Sequence, residues 1–341
     1  GILVFVIAFV PIASGRSLHI LKAEVPGPVV GKLVSKVKLT ARILYVIYAV
    51  LTIILIILLV FGGMSLFDSI LMAFGTAGTG GFGVKNNSAM YWDSAYIEGV
   101  LTVFMILFGI NFNLIYFAIL GRIKEVMRSE ELRWYLLIIF GAIVLIAINT
   151  LPMYDSILQA IRYSSFQVGS IITTTGYVSY NYDTWPLFSQ MILLALMFIG
   201  ACSGSTGGGI KISRIVIYFK NARNEIRRLV HPHSIKTVEF EGQPVDENVN
   251  RNIHAYLAVY LALFAVSLLI VALNNFDFKT TFSAVTTCFN NVGPGLEVVG
   301  AVGNFSSLSD LSKIVLSFDM LAGRLEIFPL LLLFSPSLWR K

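Results

Sequence analysis

Long stretches of this chain carry no charged side chain, and that restricts the fold more than any other feature. Residues 43–63, 134–152 and 255–273 are uninterrupted apolar runs, and 187–200 is a shorter one. The hydrocarbon core of a bilayer takes roughly 20 such residues as a helix. Open sheets cannot span lipid, because their edges would leave backbone groups unpaired, and uninterrupted apolar runs do not suit the alternating pattern of a barrel. Composition agrees: 56% of the 341 residues are hydrophobic and 13% charged, against roughly 25% charged in a soluble domain. The expected fold class is an all-α polytopic membrane protein. The two cysteines, Cys202 and Cys288, lie far apart in apolar surroundings and imply no disulfide framework.

The basic residues cluster. Arg16, Lys22, Lys32, Lys36, Lys38 and Arg42 form one group, and Arg122, Lys124, Arg128 and Arg133 a second. The third is Lys211, Arg214, Lys220, Arg223, Arg227, Arg228 and Lys236. The intervening segments 63–98, 152–190 and 274–313 hold only Lys85, Arg162, Lys279 and Lys313. Lys and Arg mark the cytoplasmic side, so the three basic stretches are expected inside and the other three outside. Nucleic-acid binding by 211–236 is the alternative, but its charges flank an apolar helix end, which favours a membrane-flanking role.

The three outside stretches are themselves greasy, and they resemble one another. They read FDSILMAFGTAGTGGFG (67–83), YDSILQAIRYSSFQVGSIITTTGYVS (154–179) and FDFKTTFSAVTTCFNNVGPG (276–295). Each opens with an aromatic residue and an Asp (Asp68, Asp155, Asp277), a residue expected to cap a short helix. Each ends in Thr, Ser or Asn followed by Gly. A half-helix entering from outside points its partly negative end at the membrane centre, where cations are favoured. The chain then returns extended, and irregular backbone is tolerated at that depth only where it lines a water-filled path. Rings of backbone carbonyls that replace a hydration shell are how potassium filters select. The repeat predicts tandem units of outer helix, re-entrant pore loop and inner helix, with ion contacts near Thr79, Gly80, Thr175, Gly176, Asn291, Val292 and Gly293. Gly80, Gly176 and Gly293 are the expected filter glycines.

These loops, together with GACSGSTGGGIKISR (200–214), RRLVHP (227–232), NNVGPGLE (290–297), AEVPGP (23–28) and GRLEIFPLLLLFSPSLWR (323–340), resemble the Trk/Ktr/HKT superfamily of potassium transporters, most closely its TrkH branch. The resemblance runs over nearly the whole chain. It implies potassium as the substrate, no organic cofactor, no enzymatic activity and a plasma-membrane location. It further implies four non-identical repeats, one filter glycine in each, and a homodimer with one pore per protomer. A cytosolic, nucleotide-binding regulatory ring of the TrkA kind is the implied partner, docking on 121–133 and 211–236. The expected layout is 1–15 as the end of a first repeat's inner helix, 16–42 as a linker and 43–121 as the second repeat. A linker at 122–133 leads to the third repeat at 134–222, with a broken inner helix. A linker at 223–251 leads to the fourth repeat at 252–341. On this reading an upstream unit is absent from the sequence, and with it the first filter, where a Ser in place of Gly admits sodium.

Residues 200–209 include five glycines along with Ser203, Ser205 and Thr206, and interrupt the expected inner helix of the third repeat. Unwound chain at that depth needs protein or water to satisfy its backbone. In the family this loop is the gate, so Gly204, Ser205, Thr206, Gly207, Gly208 and Gly209 are gate candidates; a Gly-rich packing kink is the plainer alternative. Arg324 falls in the middle of the last apolar span, where a charge is costly and usually functional. Asp319 and Glu326 share its helix face poorly, so its expected partners are carbonyls of the 203–209 loop. A buried carboxylate is the alternative partner. Beyond a potassium pore, a sodium-permeable relative and a secondary transporter for an organic solute fit the class. The second is disfavoured because the repeats share one orientation and the filter loops lack charge. Gly78, Gly80 and Gly83 match G-x-G-x-x-G, and 204–211 resembles a P-loop with Ile210 in the Lys position, but neither follows a strand. No catalytic motif is present.

Overall fold

The computed structural model describes residues 37–231, 237–325 and 327–333. The expectations placed on 1–15, on most of 16–42, on Glu326 and on the chain end after 333 lie outside the described residues.

Three units follow one another. The first comprises α1 (Val37–Phe61), α2 (Leu66–Ala77), α3 (Ala95–Phe108) and α4 (Phe112–Ile119). A short α5 (Ile123–Arg128) leads into the second, made of α6 (Glu130–Thr150), α7 (Ile157–Ile172), α8 (Leu187–Ile199) and α9 (Ile212–Val230). A two-stranded hairpin, β1 (Glu239–Phe240) against β2 (Gln243–Pro244), precedes the third unit. That unit holds α10 (Glu247–Ala272), α11 (Phe278–Phe289), α12 (Asp310–Arg324) and α13 (Ile327–Leu333).

By length and composition, α1 over Leu39–Phe61, α6 with its extension to Met153, and α10 could each cross a membrane. Their outward faces are apolar: Val46, Val50, Ile53 and Ile57 form an exposed stripe on α1, and Leu137, Phe140, Val144 and Ile148 one on α6. An apolar stripe at helical spacing that faces away from the protein is what a lipid environment selects. The inward faces pack on the short helices, α1 on α2, α6 on α7 and α10 on α11.

Serines cap two of the three short helices. Ser65 accepts from the Asp68 amide at 3.1 Å and Ser156 from the Leu158 amide at 3.3 Å. The expected caps at Asp68 and Asp155 are therefore displaced: Asp68 sits in the first turn of α2, and Asp155 one residue ahead of the cap. The nearby serine hydroxyl reaches the free amides first, while the Asp68 charge still lies against the positive helix end. Asp277 is the cap of α11, accepting from the Thr280 amide at 3.0 Å.

All three inner helices are interrupted, not one. The α3–α4 pair bends by 102° at residues 109–111. In the second unit α8 stops at Ile199 and α9 starts at Ile212. In the third, α12 ends at Arg324, with Leu325 as its cap. Arg324 thus lies at a helix C-terminus, where the partly negative carbonyl end favours a cation.

Candidate functional site

The short helices α2, α7 and α11 end at loops with one repeated backbone. Positive φ recurs in pairs two residues apart: Thr79 and Gly81, Thr174 and Gly176, Asn291 and Gly293. The amide bonds agree. Gly80 donates to the Gly75 carbonyl at 2.7 Å, Thr175 to Ser170 at 2.9 Å and Val292 to Thr287 at 2.9 Å. Gly80 is therefore the counterpart of Thr175 and Val292, and the counterpart of Gly176 and Gly293 is Gly81. The run Gly-Thr-Gly-Gly in the first loop hid this one-residue offset, since either glycine fits a Thr-Gly reading.

The loops abut in sequence. A Cβ added at Gly81 would stand 1.8 Å from the Thr175 carbonyl oxygen, and one at Gly176 would stand 2.0 Å from that of Val292. At Gly293 nothing lies within 4 Å among the described residues. The first loop thus presses on the second and the second on the third, with φ of +65°, +80° and +107° at the three glycines. Only a residue without Cβ takes that backbone at such contact. The carbonyl ends of α2, α7 and α11 converge on these loops and carry partial negative charge. No ionised side chain stands among the seven ion-contact candidates, so their polar groups are backbone, hydroxyl and the Asn291 amide.

Residues 200–211 form a compact loop against the underside of the three loops. Thr79 Oγ1 lies within bonding distance of the Thr206 carbonyl, at 2.7 Å. Gly208 donates its amide to Thr174 Oγ1 at 2.7 Å. A Cβ at Gly208 would meet the Asn290 carbonyl at 2.7 Å, and one at Gly207 the Thr173 carbonyl at 3.1 Å. The other side of the loop rests on the α3–α4 elbow. Cys202 donates to the Gly109 carbonyl at 3.0 Å, and Phe112 donates to that of Gly204 at 3.1 Å. Irregular backbone in an apolar setting is tolerable only with such partners.

The Arg324 guanidinium reaches this loop. It donates to the Thr206 carbonyl at 3.0 Å and to the Gly78 carbonyl at 3.4 Å. One cation thus touches both the interrupting loop and the end of α2.

Three residues of this region escaped the sequence reading. Lys211, a member of the third basic cluster, is only 5% exposed. Its backbone, at φ +81°, turns the side chain back so that Nζ donates to the Gly207 carbonyl. Glu131 is also buried, and its Oε1 accepts from the Ser203 amide at 2.7 Å. Its neighbour Glu130 pairs instead with Lys220 at 2.6 Å, and nothing in Ser-Glu-Glu distinguishes the two. Asn111 caps α4, accepting from the Asn113 amide at 2.9 Å. Gly109 and Asn111, two positions apart, are the signal that could have revealed the elbow.

On the other side of the loops, charged contacts join neighbouring units. Arg162 of α7 holds Glu98 of α3 with two bonds of 2.8 Å and Asp93 with one of 3.0 Å. Asp183 accepts from the Glu297 amide at 3.0 Å, and Lys279 pairs with the Glu297 carboxylate. Burial pushes the Asp183 carboxyl above the ordinary range, opposed by the backbone amides of Glu297 and Ala301.

Over residues 1–341 the chain matches the family model TrkH, described as a cation transport protein. The Trk system potassium uptake protein TrkH of Escherichia coli (strain K12) is 36% identical over 348 residues, covering 100% of this chain and 71% of that protein. TrkI of Halomonas elongata is 29% identical, covering 100% and 70%. The crystal structure of the potassium transporter TrkH from Vibrio parahaemolyticus superposes with a TM-score of 0.85 at 33% identity, covering 99% of this chain and 70% of that one.

Proposed function

Because this chain belongs to the TrkH family of cation transport proteins, we propose that it carries potassium across a membrane through a gated pore in which the loops after α2, α7 and α11 are the filter. Potassium is its substrate, as the relatives' names state for them, and it is a transport protein and not an enzyme. The observation that carries the filter reading is the threefold recurrence of one backbone, in which a residue with positive φ precedes a positive-φ glycine by two positions. Carbonyls of Thr79, Gly80, Gly81, Thr175, Gly176, Asn291, Val292 and Gly293 would replace the ion's hydration shell. The absence of ionised side chains among them favours a weakly held, permeating ion over a trapped one.

On this reading, loop 200–211 and Arg324 form the gate. The guanidinium beneath the loops raises the barrier to a cation, and the loop blocks the path until both move. Their shared bond at the Thr206 carbonyl supports a joint movement. The protein sits in a plasma membrane as a multi-pass homodimer, with one pore in each protomer. A cytosolic nucleotide-binding ring would dock on the end of α9, where Arg223, Arg227 and Arg228 are exposed beside exposed Ile226 and Leu229.

The deciding experiment is potassium against sodium flux with the full-length protein in liposomes, with Gly176→Ser alongside. The reading expects potassium to pass well, sodium poorly, and the substitution to erode that preference. A silent substitution together with no flux of either ion under any gradient would overturn the filter.

A further inference from the structure

We infer that the Tyr177 hydroxyl is a positioning group for the first unit's loop, standing in from the neighbouring unit for a hydroxyl that α2 lacks. The inference deepens the filter reading and rests on it.

Two of the three loops are braced from within their own unit. Ser170 Oγ donates to the Tyr177 carbonyl at 2.7 Å, and Thr287 Oγ1 donates to the Pro294 carbonyl at 3.1 Å; each bond spans seven positions. Ser170 and Thr287 are each the third residue from the end of their helix. Tyr177 and Pro294 each directly follow the positive-φ glycine. In the same register the first unit pairs Gly75 with Phe82, and glycine has no hydroxyl.

The missing group arrives from the second unit. Tyr177 is 0% exposed, and its hydroxyl lies 3.1 Å from the Phe82 carbonyl and 3.0 Å from that of Met72. Its single proton is shared between these two acceptors. The Met72 carbonyl also receives the Thr76 hydroxyl at 2.8 Å. The Tyr177 oxygen occupies the place a side chain at position 75 would take: a Cβ there would lie 2.2 Å from it and 2.8 Å from the Phe82 carbonyl. Gly75 and Tyr177 are thus the two halves of one solution, in which a small residue makes room for a hydroxyl supplied from the neighbour. The result ties the shape of the first loop to the position of the second, at the junction where Gly81 already presses on Thr175.

Tyr177 does not line the ion contacts, so its effect must pass through the loop backbone. The test is the potassium-to-sodium permeability ratio of the full-length protein in liposomes for Tyr177→Phe, Gly75→Ser and the double variant. Tyr177→Phe should lower the ratio about tenfold, since losing a hydroxyl-to-carbonyl bond costs on the order of the 1.4 kcal/mol that factor represents. Gly75→Ser alone should also lower it, because the new side chain meets the tyrosine oxygen. The double variant should recover the ratio to within about twofold, the new hydroxyl bonding Phe82 as Ser170 bonds Tyr177. Rescue is the readout that a merely structural tyrosine would not produce, and it decides the matter even if a single variant folds poorly. Additive losses in the double variant would overturn the inference. So would an unchanged ratio in Tyr177→Phe. In that case Gly176→Ser separates the readings: if it still erodes selectivity, only the brace fails, and if it too is silent, the filter reading fails with it.

Discussion

The three loops and the three inner helices treat the repeat in opposite ways. The loops keep a single backbone through sequences as different as Gly-Thr-Gly-Gly, Thr-Thr-Thr-Gly and Asn-Asn-Val-Gly. The inner helices diverge: an elbow at 109–111, a loop of a dozen residues at 200–211, and a stop at Arg324. On the proposed reading, a ring of carbonyls around an ion works only if every segment presents the same atoms, which would impose symmetry there. An obstruction needs only one segment to enter the path while the others make room for it. The elbow and Arg324 both contact the 200–211 loop, so the departures from the repeat are complementary parts of one assembly.

The contrast can be broken most sharply at the one-residue offset in the first loop. Gly81→Ala forces a Cβ into the Thr175 carbonyl at a φ of +65°. Strain of roughly 2–4 kcal/mol should cut potassium flux in liposomes by about a hundredfold. Gly80→Ala, whose Cβ meets only the Phe82 ring at 3.1 Å, should keep most of the flux. Equal losses would remove the equivalence of Gly81 with Gly176 and Gly293.

The second effect runs the other way. Arg324→Ala removes the charge beneath the loops and should raise flux about five- to tenfold, the scale of one partly screened charge in the path. Arg324→Lys should fall between, because an ammonium on a flexible stem does not hold two carbonyls as a planar fork does. Unchanged flux in both would count against a gating charge.

Smaller again, Asn111→Ala removes the cap of α4, worth about 1 kcal/mol, and loosens the seat of Gly204. Flux should rise a few-fold with ion selectivity unaltered, measured as the same potassium-to-sodium ratio. A change of selectivity instead would merge the two regions that the comparison separates.

The smallest effect is a pH dependence at Asp183. Its carboxyl is raised on folding, chiefly by burial, so the folded state holds the proton more tightly than the unfolded chain. That contribution stabilises the protein as pH falls through the raised value and is lost as pH rises above it. Asp183→Asn should therefore raise the thermal midpoint slightly at about pH 8, with the advantage fading towards about pH 4. An advantage that grows on acidification would mean that the amides of Glu297 and Ala301 outweigh burial.

Much of this was legible in the linear chain. Apolar runs without charge dictate helices in lipid, because no other local structure satisfies the backbone there. The repeated aromatic–Asp openings and glycine-bearing endings pick out three equivalent short helices with their loops, and the five glycines of 200–209 mark an interruption, since glycine alone is cheap to unwind. These are properties of single segments. Tertiary structure decided what depends on two segments meeting. It chose Gly81 over Gly80, because only at that position does the neighbouring carbonyl come within van der Waals contact. Lys211 and Glu131 turned inward while the charged residues beside them, Arg214 and Glu130, stayed partly exposed, and Arg324 ended at a helix terminus under two carbonyls. Tyr177 came to stand in the space that Gly75 leaves. Periodicity and composition report what a segment can do alone; which partner fills a given gap depends on atoms a hundred residues away, and that information exists only once the chain has folded.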